Sequence, residues 1–181
     1  MYGESIGANG QRLVNVRPQH QEWYALHARC RHEKLVAAQL RARGVPHWLP
    51  LIERQRSWSD RHSKILFPLF PGYLFVNVAY DERIYALRAR GVARIVSFNG
   101  KPCPVPPEQI EAIRTALVSR LQCDPYPSLA VGEEAEVLRG PLKGYRGVVI
   151  EEHKRHRVLL SVPLIGQSVA VEIDAMDLDR V

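Results

Sequence analysis

The spacing of apolar positions changes once along this chain of 181 residues. Up to about residue 121, β-prone runs alternate with stretches whose apolar residues recur every three or four positions; from 134 onward the period is two. Trp23 to Ala28 has the length and aromatic content of a strand. Arg31 to Arg43 follows with Leu35, Val36 and Leu40 at helical spacing, basic residues in its last turn and Gly44 placed to stop it. His47 to Ile52 reads as a short edge strand, because Pro50 has no N–H to give a central ladder. Residues 53–64 hold four basic side chains and a histidine without apolar period, which predicts a solvent-facing hairpin or loop.

Pro68, Pro71 and Gly72 precede the apolar run Tyr73 to Val78, a turn feeding a buried strand. Asp81 to Arg90 begins with acid and ends with base, as a helix dipole favours, and Gly91 follows. Val92 to Phe98 returns to strand, and Asn99-Gly100 is a two-residue hairpin signal. Pro106-Pro107-Glu108 opens a helix over 109–121, with Ile110, Ile113, Leu117 and Leu121 on one side. After the proline-bearing segment 122–129, strands are expected at 134–138, 147–150, 157–162 and 168–173. Strands mixed with helices over 22–121 predict an α+β sandwich, and short strands at turn spacing over 130–181 predict a small all-β barrel.

Composition sharpens this division. The formal charge of +6 conceals 18 basic and 9 acidic residues up to position 123 against 7 and 10 after it. The first part therefore suits phosphate backbones and the second does not. Cys30, Cys103 and Cys123 are too few and too scattered for a disulfide framework or a cysteine-rich zinc site. No apolar run approaches the roughly 20 residues of a membrane span. Residues 1–21 are polar and lack the apolar region of a secretory signal, which predicts a loose arm on a cytoplasmic protein.

Two segments are more specific than the rest. Leu69-Phe70-Pro71-Gly72-Tyr73-Leu74-Phe75-Val76 makes a tight turn expected to leave the Phe70 ring on the surface, with Tyr73 and Phe75 on one sheet face. Gly140-Pro141-Leu142-Lys143-Gly144-Tyr145-Arg146-Gly147 punctuates a loop between strands, with Gly147 giving backbone clearance. With Trp23-Tyr24 ahead of them and Lys101-Pro102-Cys103-Pro104-Val105-Pro106 between, these motifs resemble the NusG family of transcription elongation factors over residues 22–181. Within it, the compact 53–66 region, the short linker and the run from Pro68 to Val76 are similar to the specialised RfaH and UpxY paralogs. The RfaH His-Thr-Thr-Thr stretch has no counterpart in Glu82-Arg83-Ile84-Tyr85.

The resemblance implies an N-terminal NGN α/β sandwich, an antiparallel sheet flanked by helices, joined by a short linker to a C-terminal KOW SH3-like barrel. It implies that His27, Phe70, Tyr73, Phe75, Val92, Phe98, Ile110 and Ile113 receive the clamp helices of the RNA polymerase largest subunit, core packing being the alternative for Phe75. It implies that the non-template DNA strand meets Arg29, Arg31, His32 and Arg90, each of which alone reads equally as solvated surface. Leu142, Tyr145 and Ile165 become contacts for ribosomal protein S10 or termination factor Rho, the alternative for Leu142 being packing across the barrel mouth.

The implied activity is processive elongation and antitermination by a monomer without membrane attachment. A general NusG supporting Rho-dependent termination, and a ribosome-associated RNA-binding protein resting on the KOW loop, stay as alternatives. His153 and His156 stand in a basic turn with no third ligand, so no metal is expected, and no cofactor. Phosphate-binding glycine loops, a nucleophile elbow and a cysteine with a base are all missing from the sequence, so an enzyme is not expected.

Overall fold

A computed structural model describes residues 20–58, 61–126, 132–152 and 155–180. The expected arm over 1–21 falls almost wholly outside these, as do His153 and residues 127–129 of the linker expected over 122–129.

The first half is built on β1 (Glu22–Ala28), α1 (Glu33–Ala42), β2 (His47–Trp48), a hairpin of β3 (Leu51–Trp58) and β4 (Arg61–Pro68), then β5 (Tyr73–Val78). A single 3₁₀ turn and the short α2 (Arg83–Leu87) lead to β6 (Val92–Ile95), β7 (Ser97–Phe98), β8 (Lys101–Pro102), β9 (Pro104–Val105) and α3 (Pro107–Val118). The principal sheet runs β2-β5-β1-β6, with β9 pairing β1 at Trp23 and Tyr24. All its pairings are antiparallel.

Alternation along β1 and β5 decides what each face holds. Tyr24, Leu26 and Ala28 with Leu74, Val76 and Val78 pack against Val36, Ala37 and Leu40 of α1. Ala25 and Phe75, directly paired in register, face the other way, into a cluster with Phe70, Ile110, Ile113 and Ala116. The sheet is thus covered on both sides, and each fully buried Phe, Leu or Ile contributes roughly 2 kcal/mol.

Several boundaries differ from the sequence expectation for identifiable reasons. The expected edge strand over 47–52 splits at Pro50: β2 pairs β5, whereas Leu51 already belongs to the hairpin, and the Pro50 carbonyl accepts from Leu69 N–H. Of the hairpin or loop expected over 53–64, the hairpin is the one formed, a two-stranded ladder that is longer than expected and runs from Leu51↔Pro68 to Trp58↔Arg61. The expected helix 81–90 is only α2 plus its preceding turn. Asn99 and Gly100, at φ 49° and 77°, form the predicted turn between β7 and β8. Arg120, at φ 56°, ends α3 before Leu121.

The second half has β10 (Cys123–Tyr126), β11 (Glu134–Val137), β12 (Arg146–Glu152), β13 (Arg155–Val162), β14 (Gln167–Glu172) and β15 (Leu178–Arg180). They form one antiparallel sheet in the order β10-β14-β13-β12-β11-β15. Residues 123–126, read from sequence as part of the connecting segment, are therefore an edge strand of this sheet, with Cys123 paired to Val171. Pro125 is tolerated there because an edge strand leaves alternate N–H groups unused.

Gly147 needs to be glycine. A Cβ placed on it would lie 2.8 Å from both the Leu159 carbonyl and the Tyr145 ring.

Candidate functional site

Most of the apolar candidates gather on one side of the first sheet. His27 and Tyr73 are register partners, their rings 5.1 Å apart. Phe75 stacks on Trp48 and meets the edge of Phe70 at 5.9 Å. Ile110 and Ile113, one turn apart on α3, close over the same cluster.

Exposure overturns part of the expectation. Phe70 is 0% exposed, not at the surface. Its carbonyl accepts from Tyr73 N–H, and the Pro71-Gly72 turn folds its ring back onto Phe75. Phe75, Ile110 and Ile113 are equally buried. Val92 pairs with Ala28 and packs against the α1-side cluster, so it lies on the opposite face from the others. His27 and Tyr73 are half-buried, and Phe98 alone of this set is fully exposed, at 69%. Phe98 sits on the β7–β8 hairpin, just beyond Val96, whose N–H donates to the Ala25 carbonyl.

A residue absent from the sequence reading holds this side to α1. Glu33 is 7% exposed and its carboxylate accepts from Gly72 N–H at 2.8 Å. Acid in the first turn of a helix was a visible dipole signal, but its partner 39 positions away was not.

The basic candidates also converge. Arg29 N–H donates to the Gly91 carbonyl at 2.8 Å, which sets Arg29 beside the corner bearing Arg90. His32 packs against Gly91, where an added Cβ would lie 3.0 Å from the His32 Cβ. Arg31, at φ 60°, turns the chain between β1 and α1. Arg29, Arg31 and Arg90 are exposed, and His32 is half-buried with Nδ1 bonded to the Cys30 carbonyl. Arg43 and Arg88, part of the basic crowding around the first helix, are exposed and flank a cavity of about 500 Å³ with Tyr85 and Glu82.

In the second half, Leu142 is 4% exposed, and Tyr145 and Ile165 are partly buried against the core. Burial raises the Tyr145 phenol above its ordinary pKa. Its hydroxyl reaches the Leu159 carbonyl at 3.5 Å. For Leu142 the packing alternative is the one realised.

The two halves touch. Asp124 accepts from Arg157 at 3.2 Å and lies 3.7 Å from Arg54 on β3, and β13 lies against α3. Val158-Leu159-Leu160 and Ser168 to Val171 are buried at consecutive positions, so both faces of β13 and β14 are covered. Their unbroken apolar runs were the available signal, since a strand with one wet face alternates.

Among the described residues, no group of His, Cys, Asp or Glu could hold a metal ion. No helix among them is long and apolar enough to cross a membrane.

These features agree with what known proteins share with this chain. Residues 21–114, which contain the whole first sheet, match the family described as transcription termination factor nusG. This chain belongs to the NusG family. The transcription termination/antitermination protein NusG of Pseudomonas aeruginosa is 28% identical over 176 residues, covering 88% of this chain and 98% of that protein. Its namesake in Escherichia coli K12 is 26% identical over 174 residues, covering 87% and 95%. A solved structure, "Domain interaction in Thermotoga maritima NusG", superposes with a TM-score of 0.52 at 22% identity, covering 89% of this chain and 97% of that one, which shows a NusG-like fold. The mixed α/β architecture expected from sequence is thus a NusG-family one. These homologues are transcription termination/antitermination proteins.

Proposed function

We propose that this NusG-family chain is a bacterial elongation factor that binds the clamp helices of the RNA polymerase largest subunit and promotes processive elongation and antitermination, as the RfaH and UpxY paralogs do. The observation that carries this is the convergence of His27, Tyr73, Phe70, Phe75, Ile110 and Ile113 on one side of the sheet, with Phe98 exposed on the hairpin that follows Val96, which packs against the same cluster. An apolar surface with a buried aromatic base and an exposed aromatic edge suits a pair of amphipathic helices. The fully buried members shape the surface from beneath, and His27, Tyr73 and Phe98 make the contact.

The Arg29, Arg31, His32 and Arg90 corner then faces the displaced non-template strand. The single strand supplies regularly spaced phosphates to cations that the fold holds together. Residues 130–181 are a KOW SH3-like barrel. Gly140 and Gly144, at φ 82° and 83°, and the close approach at Gly147 support that assignment. The barrel reaches ribosomal protein S10 or Rho through the loops around Tyr145 and Ile165, in the cytoplasm and without cofactor.

Phe98→Asp tests the reading. It should abolish binding of the full chain to an isolated clamp-helix fragment while leaving circular dichroism unchanged; binding at wild-type strength would refute the assignment. The same chain acting as a general NusG would raise Rho-dependent termination, so transcription through a terminator with and without Rho separates the two signs.

A further inference from the structure

The nucleic-acid corner depends on a side chain with no charge. Gln39 lies on α1 at the same stripe as His32 and Val36, spaced i, i+4 and i+7. Its amide makes two bonds to one residue 51 positions away: Nε2 donates to the Arg90 carbonyl at 2.8 Å, and Oε1 accepts from Arg90 N–H at 2.9 Å. Both peptide groups of Arg90 are thereby satisfied by one side chain, in the manner of a strand partner. Directly after it, Gly91 at φ 104° presses on His32 and Val36, and its carbonyl takes the Arg29 N–H.

Glutamine suits this task because its carboxamide donates and accepts at one end. A carboxylate would accept from the N–H but oppose the carbonyl, and an apolar chain of equal length would do neither. Gln39 is half-buried, but both bonds are solvent-exposed, so each adds little stability. That is too little to decide the fold, and enough to decide where an exposed arginine starts from. Arg43, the C-cap of α1, follows one turn beyond Gln39, so a single stripe runs from His32 past the Arg90 contact to Arg43. Its length from His32 to Arg43 is about 16 Å at 1.5 Å per residue.

We propose that Gln39 is a positioning residue for single-strand binding: it fixes the Arg90 backbone so that the guanidinium meets a phosphate in register with Arg29. This rests on the reading that the corner faces a DNA strand.

The test uses the full chain and a fluorescent single-stranded deoxyoligonucleotide of about 20 nucleotides, titrated at several salt concentrations. Arg90→Ala should weaken binding by about fivefold and flatten the dependence of log K on log salt by about 0.7, the share of one phosphate contact. Gln39→Met keeps length and helix propensity, and should reproduce most of both changes. The double variant should bind no more weakly than Arg90→Ala alone. Amide exchange at Arg90, measured without DNA, should quicken in Gln39→Met. Wild-type affinity and slope in Gln39→Met, additive losses in the double variant, or unchanged exchange at Arg90 would each overturn the proposal. If Arg90→Ala itself binds like wild type, the DNA reading of the corner falls together with it, an outcome distinct from failure of Gln39 alone.

Discussion

The two sides of the N-terminal sheet were marked in the sequence by residue type, and the fold treats them in opposite ways. On the α3 side, most apolar candidates are withdrawn: Phe70, Phe75, Ile110 and Ile113 have no exposed area, and Phe98 alone is fully outside. On the α1 rim, the basic candidates from two separate segments, 29–32 and Arg90, are gathered by bonds to the backbone of Arg29, Gly91 and Arg90. Hydrophobic side chains cannot be displayed in number without cost, so an apolar binding surface is mostly foundation with a thin exposed edge. Charged groups have the reverse economy, because they must stay wet and can only be aimed.

That contrast yields its largest test at Phe70. Phe70→Asp puts a carboxylate into the T-shaped pair with Phe75 and should cost about 5 kcal/mol or more, enough to lose the cooperative thermal transition. Loss of binding by that variant would report unfolding, not a broken contact. An intact melt would mean that Phe70 can reach solvent and that the two sides are not so different.

Smaller losses should follow at positions that fix geometry. Gly147→Ala forces the Leu159 backbone or the Tyr145 ring to move and should cost about 2 kcal/mol, read as a lower midpoint in urea. Glu33→Ala strands the Gly72 N–H and should cost about the same, whereas Glu33→Gln keeps an acceptor and should cost less. If the Ala and Gln variants melt together, the carboxylate is not what ties the Pro71-Gly72 turn to α1.

The smallest effect is expected where the halves meet. Asp124→Asn weakens a partly exposed pair and should change stability by less than about 1 kcal/mol. Its sharper readout is the adjacent thiol. Burial first, then the Asp124 charge, push Cys123 up to about 11, so it should resist alkylation while Cys30 reacts. Removing the Asp124 charge lowers the thiol's pKa, so Cys123 should label modestly faster in Asp124→Asn, and unchanged labelling would show that burial alone protects it.

Much of this was legible in the chain. Period and turn residues located β1, β2, β5, β6 and β11 to β14, the stop at Gly44 and the Asn99-Gly100 hairpin. Ordered motifs pointed to the family. Exposure was not legible, because Phe70 on a proline-flanked turn and Phe98 beside an Asn-Gly turn look alike until the turn direction is known. Nor were bonds across 39 and 51 positions, which belong to residues that are unremarkable locally, Glu33 and Gln39. The edge strand at 123–126 was hidden by Pro125, whose usual meaning is a break.

The central claim is that the thin edge over the α3 side holds polymerase. A reconstituted elongation reaction through a Rho-dependent terminator measures it directly, with the wild-type chain beside Phe98→Asp. Wild type should give more read-through and Phe98→Asp none of that gain, although the variant melts within about 0.5 kcal/mol of wild type. Equal read-through by the two proteins would contradict it.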